Sequence, residues 1–173
     1  MCRSKARPGS RFGYSNLGYA LLGQVIETAT GERYERFLDR ELLAPLSMHD
    51  STFGFRTQSG DGADARLAMG HFEGGAAHPA VPMHLRPASQ FTTTAGDMAR
   101  FARLLLDRGR IDGTRLIDPA LMTGIARPNG TEAADAGLAI GHGGVLAGRE
   151  RHGLAGGCHS GNTVGFWAML CVY

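Results

Sequence analysis

Apolar side chains recur at helical spacing early in the chain, lose that rhythm through its middle, and return near its end. Leu17, Leu21 and Val25 repeat every four residues, and Leu22, Ile26 and Ala29 widen the stripe. Ser15 or Asn16 is placed to cap this helix, and Gly31 stands where a helix stops. A second helix is expected from about Tyr34 to Leu43, with Tyr34, Phe37, Leu38 and Leu42 on one face and Pro45 as its terminator. From Ser51 to Gln90 the periodicity fades among repeated glycines and prolines. So long a stretch without regular structure marks a functional loop or a small subdomain.

The helical pattern resumes at Thr94. Thr94 and Asp97 form a variant capping box, with Asp in place of Glu. Met98, Phe101, Ala102 and Leu105 form the stripe behind it, and Gly109 closes it. Asp118-Pro119 reads as an N-cap followed by proline at the first helical position, starting a short helix to about Ile125. Gly137 to Leu146 is a strand candidate. Val164 to Tyr173 reads as a buried strand, because Phe166, Trp167, Met169, Leu170 and Tyr173 crowd it. A strand this apolar needs neighbours on both edges and cover on its faces. On that ground the chain is expected to be part of a domain, incomplete at both ends.

Composition narrows the function classes. The chain has 173 residues, 43% of them hydrophobic and 20% charged, which fits a globular fold. The net charge of +2 is too small to imply a polyanion partner. Lys5 is the only lysine, and the arginines are spread along the chain, so no nucleic-acid stripe forms. No apolar run reaches bilayer length, and no signal peptide is visible, so compartment is left open. The cysteines Cys2, Cys158 and Cys171 lack zinc-finger or C-x-x-C spacing. Neither a disulfide framework nor a structural metal is expected from them.

Two polar segments stand at the ends of regular elements, where a rigid scaffold aims side chains. One is Tyr14-Ser15-Asn16, ahead of the first helix. The other is Gly157 to Phe166, which contains His159-Ser160-Gly161-Asn162. Other constellations fall away. Gly156 to Thr163 has P-loop spacing, but Asn162 stands where the lysine must be and a strand follows instead of a helix. His71-Phe72-Glu73 lacks the Pro-Cys-x-x-Cys partner of a deaminase zinc site, and His71, His78 and His84 read as loop histidines. Ser160 is not enclosed in Gly-x-Ser-x-Gly, which favours a substrate hydrogen-bonding role over a nucleophilic one.

On these residues the sequence resembles the serine β-lactamase and D-alanyl-D-alanine peptidase superfamily, in the class C-like branch that also holds esterases. The resemblance runs from about Pro8 to Leu170. It is carried by Phe12 to Glu27, Thr30-Gly31, Pro45 to Met48, Thr92 to Phe101 and His159-Ser160-Gly161. It implies an α+β, β-lactamase/transpeptidase-like fold, an antiparallel sheet flanked by helices plus a helical region. One partial domain is expected over 1–173, with its helical part over about 12–125 and its sheet part over about 137–173. It also implies acyl transfer to water through a serine ester, without metal or organic cofactor, on a small-molecule or peptide-like acyl substrate.

In such enzymes three motifs meet at one cleft: Ser-x-x-Lys, Tyr-x-Asn, and Lys-Thr-Gly or His-x-Gly. The resemblance casts Tyr14 as part of the proton-transfer network beside the nucleophile. A phenol titrates near 10, so it needs adjacent positive charge for that role. Asn16 is cast as a hydrogen-bond partner of the substrate amide or of the motif lysine, and His159 opens the third motif. Ser160 and Gly161 line the substrate, and the Asn162 backbone N–H supplies half of an oxyanion hole. Ser-x-x-Lys itself does not occur in the sequence. Cys2-x-x-Lys5 has its spacing but lies close to Tyr14 and lacks a helical pattern. The 173 residues are therefore expected to be catalytically silent alone, as a fragment of a hydrolase. A non-catalytic module that binds a peptide-like or cell-wall ligand is the alternative. Histidine at position 159 in place of lysine lowers the charge available to a β-lactam carboxylate at pH 7, which favours esters or small amides over penicillins.

Overall fold

The computed structural model describes residues 7, 10, 12–125, 141–142 and 147–173. The chain forms two compact units, one of residues 15–101 and 160–168, the other of residues 1–14, 102–159 and 169–173.

The first unit starts with α1, Asn16–Thr30. Ser15, extended at φ −151°, is the N-cap, and its hydroxyl accepts the Gly18 N–H at 3.0 Å. Gly31, at φ 73°, ends the helix by donating its N–H to the Glu27 carbonyl. The apolar stripe of α1 points outward. Leu17, Leu21, Leu22 and Val25 are 49–61% exposed, and the buried residue of the helix is Gly23. A Cβ at Gly23 would stand 2.3 Å from Pro87 Cγ, so the helix seats its side-chain-free position on the 3₁₀ turn Arg86–Ala88.

The expected second helix changes character along its length. Tyr34–Leu38 forms α2, and Asp39–Leu43 continues it as a π-helical turn. Asp39 faces a loop there: its carboxylate accepts the Thr52 hydroxyl at 2.6 Å and the Phe53 N–H at 2.9 Å. Tyr34, Leu43, Leu46 and Met48 form the unit's buried apolar core. Burial, with Glu35 next to it, pushes the Tyr34 phenol up to about 12. Burial also works against ionisation of Glu35, but hydrogen bonds from Arg33 and the nearby Arg86 guanidinium outweigh it and lower its pKa.

The segment 51–90 is more ordered than its sequence promised. An antiparallel bridge joins Thr52 to Thr92. Strands β1, Gly70–His71, and β2, Ala77–His78, form a small hairpin. Helix α3, Ala95–Leu106, follows, with the Thr94 hydroxyl accepting the Asp97 N–H at 3.2 Å as the capping box requires. Asp97 is buried. Its carboxylate accepts the Ser51 hydroxyl at 2.7 Å and the Asp50 N–H at 3.0 Å, which pins α3 to the chain after the core.

In the second unit Leu104 and Ile111 are buried. Gly109, at φ 84°, donates its N–H to the Leu104 carbonyl, and a hairpin of β3, Arg110–Ile111, and β4, Thr114–Arg115, follows. Asp118 caps α4, Pro119–Met122, by accepting the Ala120 N–H at 2.8 Å. This helix is shorter than the run to Ile125 expected for it.

The main sheet is four-stranded and antiparallel where its pairing is defined, in the order β5, Gly141–His142; β6, Ala147–Arg151; β7, Leu154–Thr163; β8, Phe166–Val172. The sequence offered only two strand candidates. Its first, Gly137 to Leu146, lies outside the described residues except at β5. The apolar pattern does not show the long β7, because glycines interrupt it, and only the His-x-Gly motif pointed to a strand there. The last strand is also corrected. It begins at Phe166, after a turn at Val164–Gly165, and it is not buried: Trp167 is 68% exposed, and Met169 and Cys171 are exposed with it.

The cysteine expectation is overturned as well. Cys158 on β7 and Cys171 on β8 form a disulfide, with Cα atoms 4.2 Å apart. They stand 13 positions apart in sequence, and the turn between the strands brings them face to face. No Cys-x-x-Cys spacing is needed for that. Among the described residues no helix is long and apolar enough to cross a membrane.

Candidate active site

Tyr14 is the last residue before the Ser15 cap, so the start of α1 sets its position. Its side chain is 54% exposed. His159 follows Cys158 on β7 and is half-buried. The two rings meet within one unit of the chain, with centroids 6.3 Å apart and planes tilted by 36°. A phenol and an imidazole so placed offer two proton-carrying groups side by side.

The other four sequence-derived candidates belong to the other unit. Asn16 is the first residue of α1 and is exposed. It is not the cap, because Ser15 takes that role. Ser160, Gly161 and Asn162 continue β7 beyond His159, and all three are exposed. Strand alternation puts Ser160 and Asn162 on one face of β7 and Gly161 on the other.

The unit of residues 15–101 and 160–168 also contains a cavity of about 620 Å³ that the sequence did not announce. Phe55, Val81, Phe91, Phe166 and Trp167 supply apolar wall, and Thr163, next after Asn162, lies in its lining. Its charged rim is internally paired. Arg66 bonds Asp64 at 3.0 Å and Asp50 at 3.1 Å, and Arg56 bonds Asp64 at 3.1 Å. The Arg66 hydrogen bonds pull the Asp64 carboxyl down to about 2. The one sequence signal for this cavity was the length of the aperiodic segment that supplies much of its wall.

The sequence model of the family described as Beta-lactamase matches residues 3–173. Penicillin-binding protein 4 of Amycolatopsis lactamdurans is 34% identical over 121 residues, covering 65% of this chain and 31% of that protein. A crystal structure of SurE, 26% identical, superposes with a TM-score of 0.73 over 99% of this chain and 40% of its own. The penicillin binding protein from Bacillus halodurans, at 20% identity, shares the fold with a TM-score of 0.71 over 98% of this chain and 50% of its own. The chain thus spans 31% to 50% of the length of these proteins.

Proposed function

The chain belongs to the beta-lactamase family, and from that premise we propose that it forms part of a serine hydrolase that transfers an acyl group to water. The observation that carries this reading is the ring contact of Tyr14 and His159 at 6.3 Å. It joins one residue from each of the two motifs, Tyr-x-Asn and His-x-Gly, that acyl-serine chemistry of this kind draws together. The family membership and the helix-plus-antiparallel-sheet fold support the same class.

In the proposed reaction a serine oxygen bonds to the substrate's carbonyl carbon and gives up its proton. Tyr14 passes that proton toward the leaving group, whose bond to the carbonyl carbon breaks. Water then cleaves the acyl-serine ester. The Asn162 N–H steadies the developing oxyanion, Asn16 hydrogen-bonds the substrate amide or the motif lysine, Ser160 and Gly161 bind substrate, and His159 sits against Tyr14. The serine and its lysine come from a Ser-x-x-Lys segment that these 173 residues do not contain. The chain alone is therefore catalytically silent. With histidine in place of lysine at position 159 the complete enzyme prefers esters or small amides to penicillins.

Two experiments test this. Intact mass spectrometry of the chain with an activated ester or a β-lactam should show no covalent adduct, and an adduct would overturn its silence. A reading frame extended upstream to include Ser-x-x-Lys should hydrolyse an aryl ester faster than a chromogenic cephalosporin. A frame that starts at Met1 with no such segment before it would overturn the hydrolase reading in favour of a binding module.

A further inference from the structure

Strand β7 carries His159 in the sequence Gly156-Gly157-Cys158-His159-Ser160-Gly161. Half of those residues are glycine, so the strand has little stiffness of its own at the point where it presents the imidazole. Cross-strand contacts supply what the backbone lacks. Cys158 pairs with Ala147 of β6 on one side. On the other side the disulfide ties it to Cys171 of β8. Gly156 lets the chain end come close: a Cβ there would lie 2.0 Å from the Val172 carbonyl oxygen and 2.7 Å from Tyr173 Cα. The Tyr173 hydroxyl stands 3.5 Å from Cys158 Sγ. Cys158 is buried, and His159 is the next residue along the strand.

Successive side chains on a strand point to opposite faces. The sulfur bridge and the imidazole therefore leave the backbone in opposite directions, and the bridge acts on the ring only through the main chain. We propose that Cys158 and Cys171 are positioning residues: their disulfide fixes the β7 backbone at position 158 and so holds the His159 ring against Tyr14. This deepens the acyl-transfer reading and rests on it for its catalytic meaning. The positional claim itself is independent of turnover.

The test uses the 173-residue chain purified without reductant. Iodoacetamide should leave Cys158 and Cys171 unmodified until a phosphine reductant is added, as read by peptide mass mapping. In the oxidised chain a nuclear Overhauser contact should connect the Tyr14 and His159 ring protons. Reduction, or the double substitution Cys158→Ser and Cys171→Ser, should abolish that contact and shift the His159 ring resonances, while far-UV circular dichroism stays unchanged. Free thiols before reduction would overturn the proposal, and so would a ring contact that survives reduction. Loss of the circular dichroism spectrum on reduction would also overturn it, by making the bridge a general staple of the fold. If the double variant does not fold, reduction of the folded wild-type chain still decides. A reading frame completed with Ser-x-x-Lys that keeps the redox-sensitive ring contact but turns over no acyl ester would overturn the hydrolase reading and leave the positional one standing.

Discussion

The Tyr14 and His159 rings stand 6.3 Å apart and 36° from coplanar, although almost the whole chain lies between them in sequence. The contact needs only the rings, whereas proton transfer needs the phenol hydroxyl. The two roles separate in substitutions. Tyr14→Phe should leave the melting temperature unchanged, because the side chain is more than half exposed. On the proposed acyl-transfer reading, the same substitution in a reading frame extended to include Ser-x-x-Lys should lower kcat about 10²- to 10⁴-fold, the range of general acid–base contributions. Steady-state kinetics on an aryl ester measures this, and a kcat within a factor of two of wild type would remove Tyr14 from the proton path.

Leu46, at 0% exposure, is one of the few large apolar side chains of its unit that are fully buried. Leu46→Ala removes packed methyl groups that surrounding side chains refill only partly. It should destabilise the chain by about 2–5 kcal/mol. Urea unfolding followed by circular dichroism gives the number. A loss below 1 kcal/mol would mean that the site collapses around the smaller residue.

Asp97 holds two donors from another part of the chain, the Ser51 hydroxyl and the Asp50 N–H. Asp97→Ala takes this acceptor from the buried Ser51 hydroxyl, which keeps Thr93 as a neighbour at 2.7 Å, and from the part-buried Asp50 N–H, at a loss of about 1–3 kcal/mol. Asp97→Asn keeps one acceptor oxygen and should lose less. Equal losses in the two variants, read from urea midpoints, would show that the hydrogen bonds contribute little there.

Gly109 combines φ 84° with a close approach: a Cβ would lie 2.4 Å from the Ile117 carbonyl oxygen. Gly109→Ala therefore meets both a left-handed backbone and a backbone clash. It should destabilise by more than about 1 kcal/mol, beyond the usual gain from stiffening the unfolded chain. The check is a thermal melt beside Gly113→Ala. Gly113 has a similar φ of 82° but open space around it, so only the strain is shared.

What the sequence made legible was local. Thr94 and Asp97, Asp118-Pro119 and Gly31 each named a helix end through chemistry among neighbouring residues, and each helix begins or stops there. The family resemblance rested on short motifs, each contained in a few consecutive residues. What stayed hidden depends on partners far along the chain. The stripe of α1 has proper helical spacing, yet the helix buries Gly23 and exposes its leucines, because Pro87 is what it packs on. Strand β7 shows no apolar periodicity because of its glycines, and only the His-x-Gly motif pointed to a strand there. The Cys158–Cys171 bond follows from the β7–β8 pairing, which no spacing rule contains. Of the site, Tyr14 and His159 were nameable from motifs, but their contact is a fact of the fold.

Asp64 gives the chain a definable acid sensitivity. Its carboxylate accepts the Arg66 backbone N–H at 3.0 Å, the Arg66 Nε at 3.1 Å and Nη2 at 3.0 Å, and Arg56 Nη1 at 3.1 Å. The Arg66 bonds are the main reason the group sits at about 2. An aspartate in the unfolded chain titrates near 3.9. The folded state therefore binds fewer protons than the unfolded state between those values, and stability falls as pH falls through them. Above about pH 4 the full contribution is present, and below about pH 2 it is gone. Asp64→Asn should thus lower the urea midpoint at pH 6, and the gap between variant and wild type should close as pH drops from about 4 to 2. Added salt should narrow the pH 6 gap, since the arginines are partly exposed and their attraction is screened. Urea titrations at pH 6, 4, 3 and 2 read this directly. A gap that stays constant over that range would mean that the Asp64 carboxylate charge does not stabilise the fold.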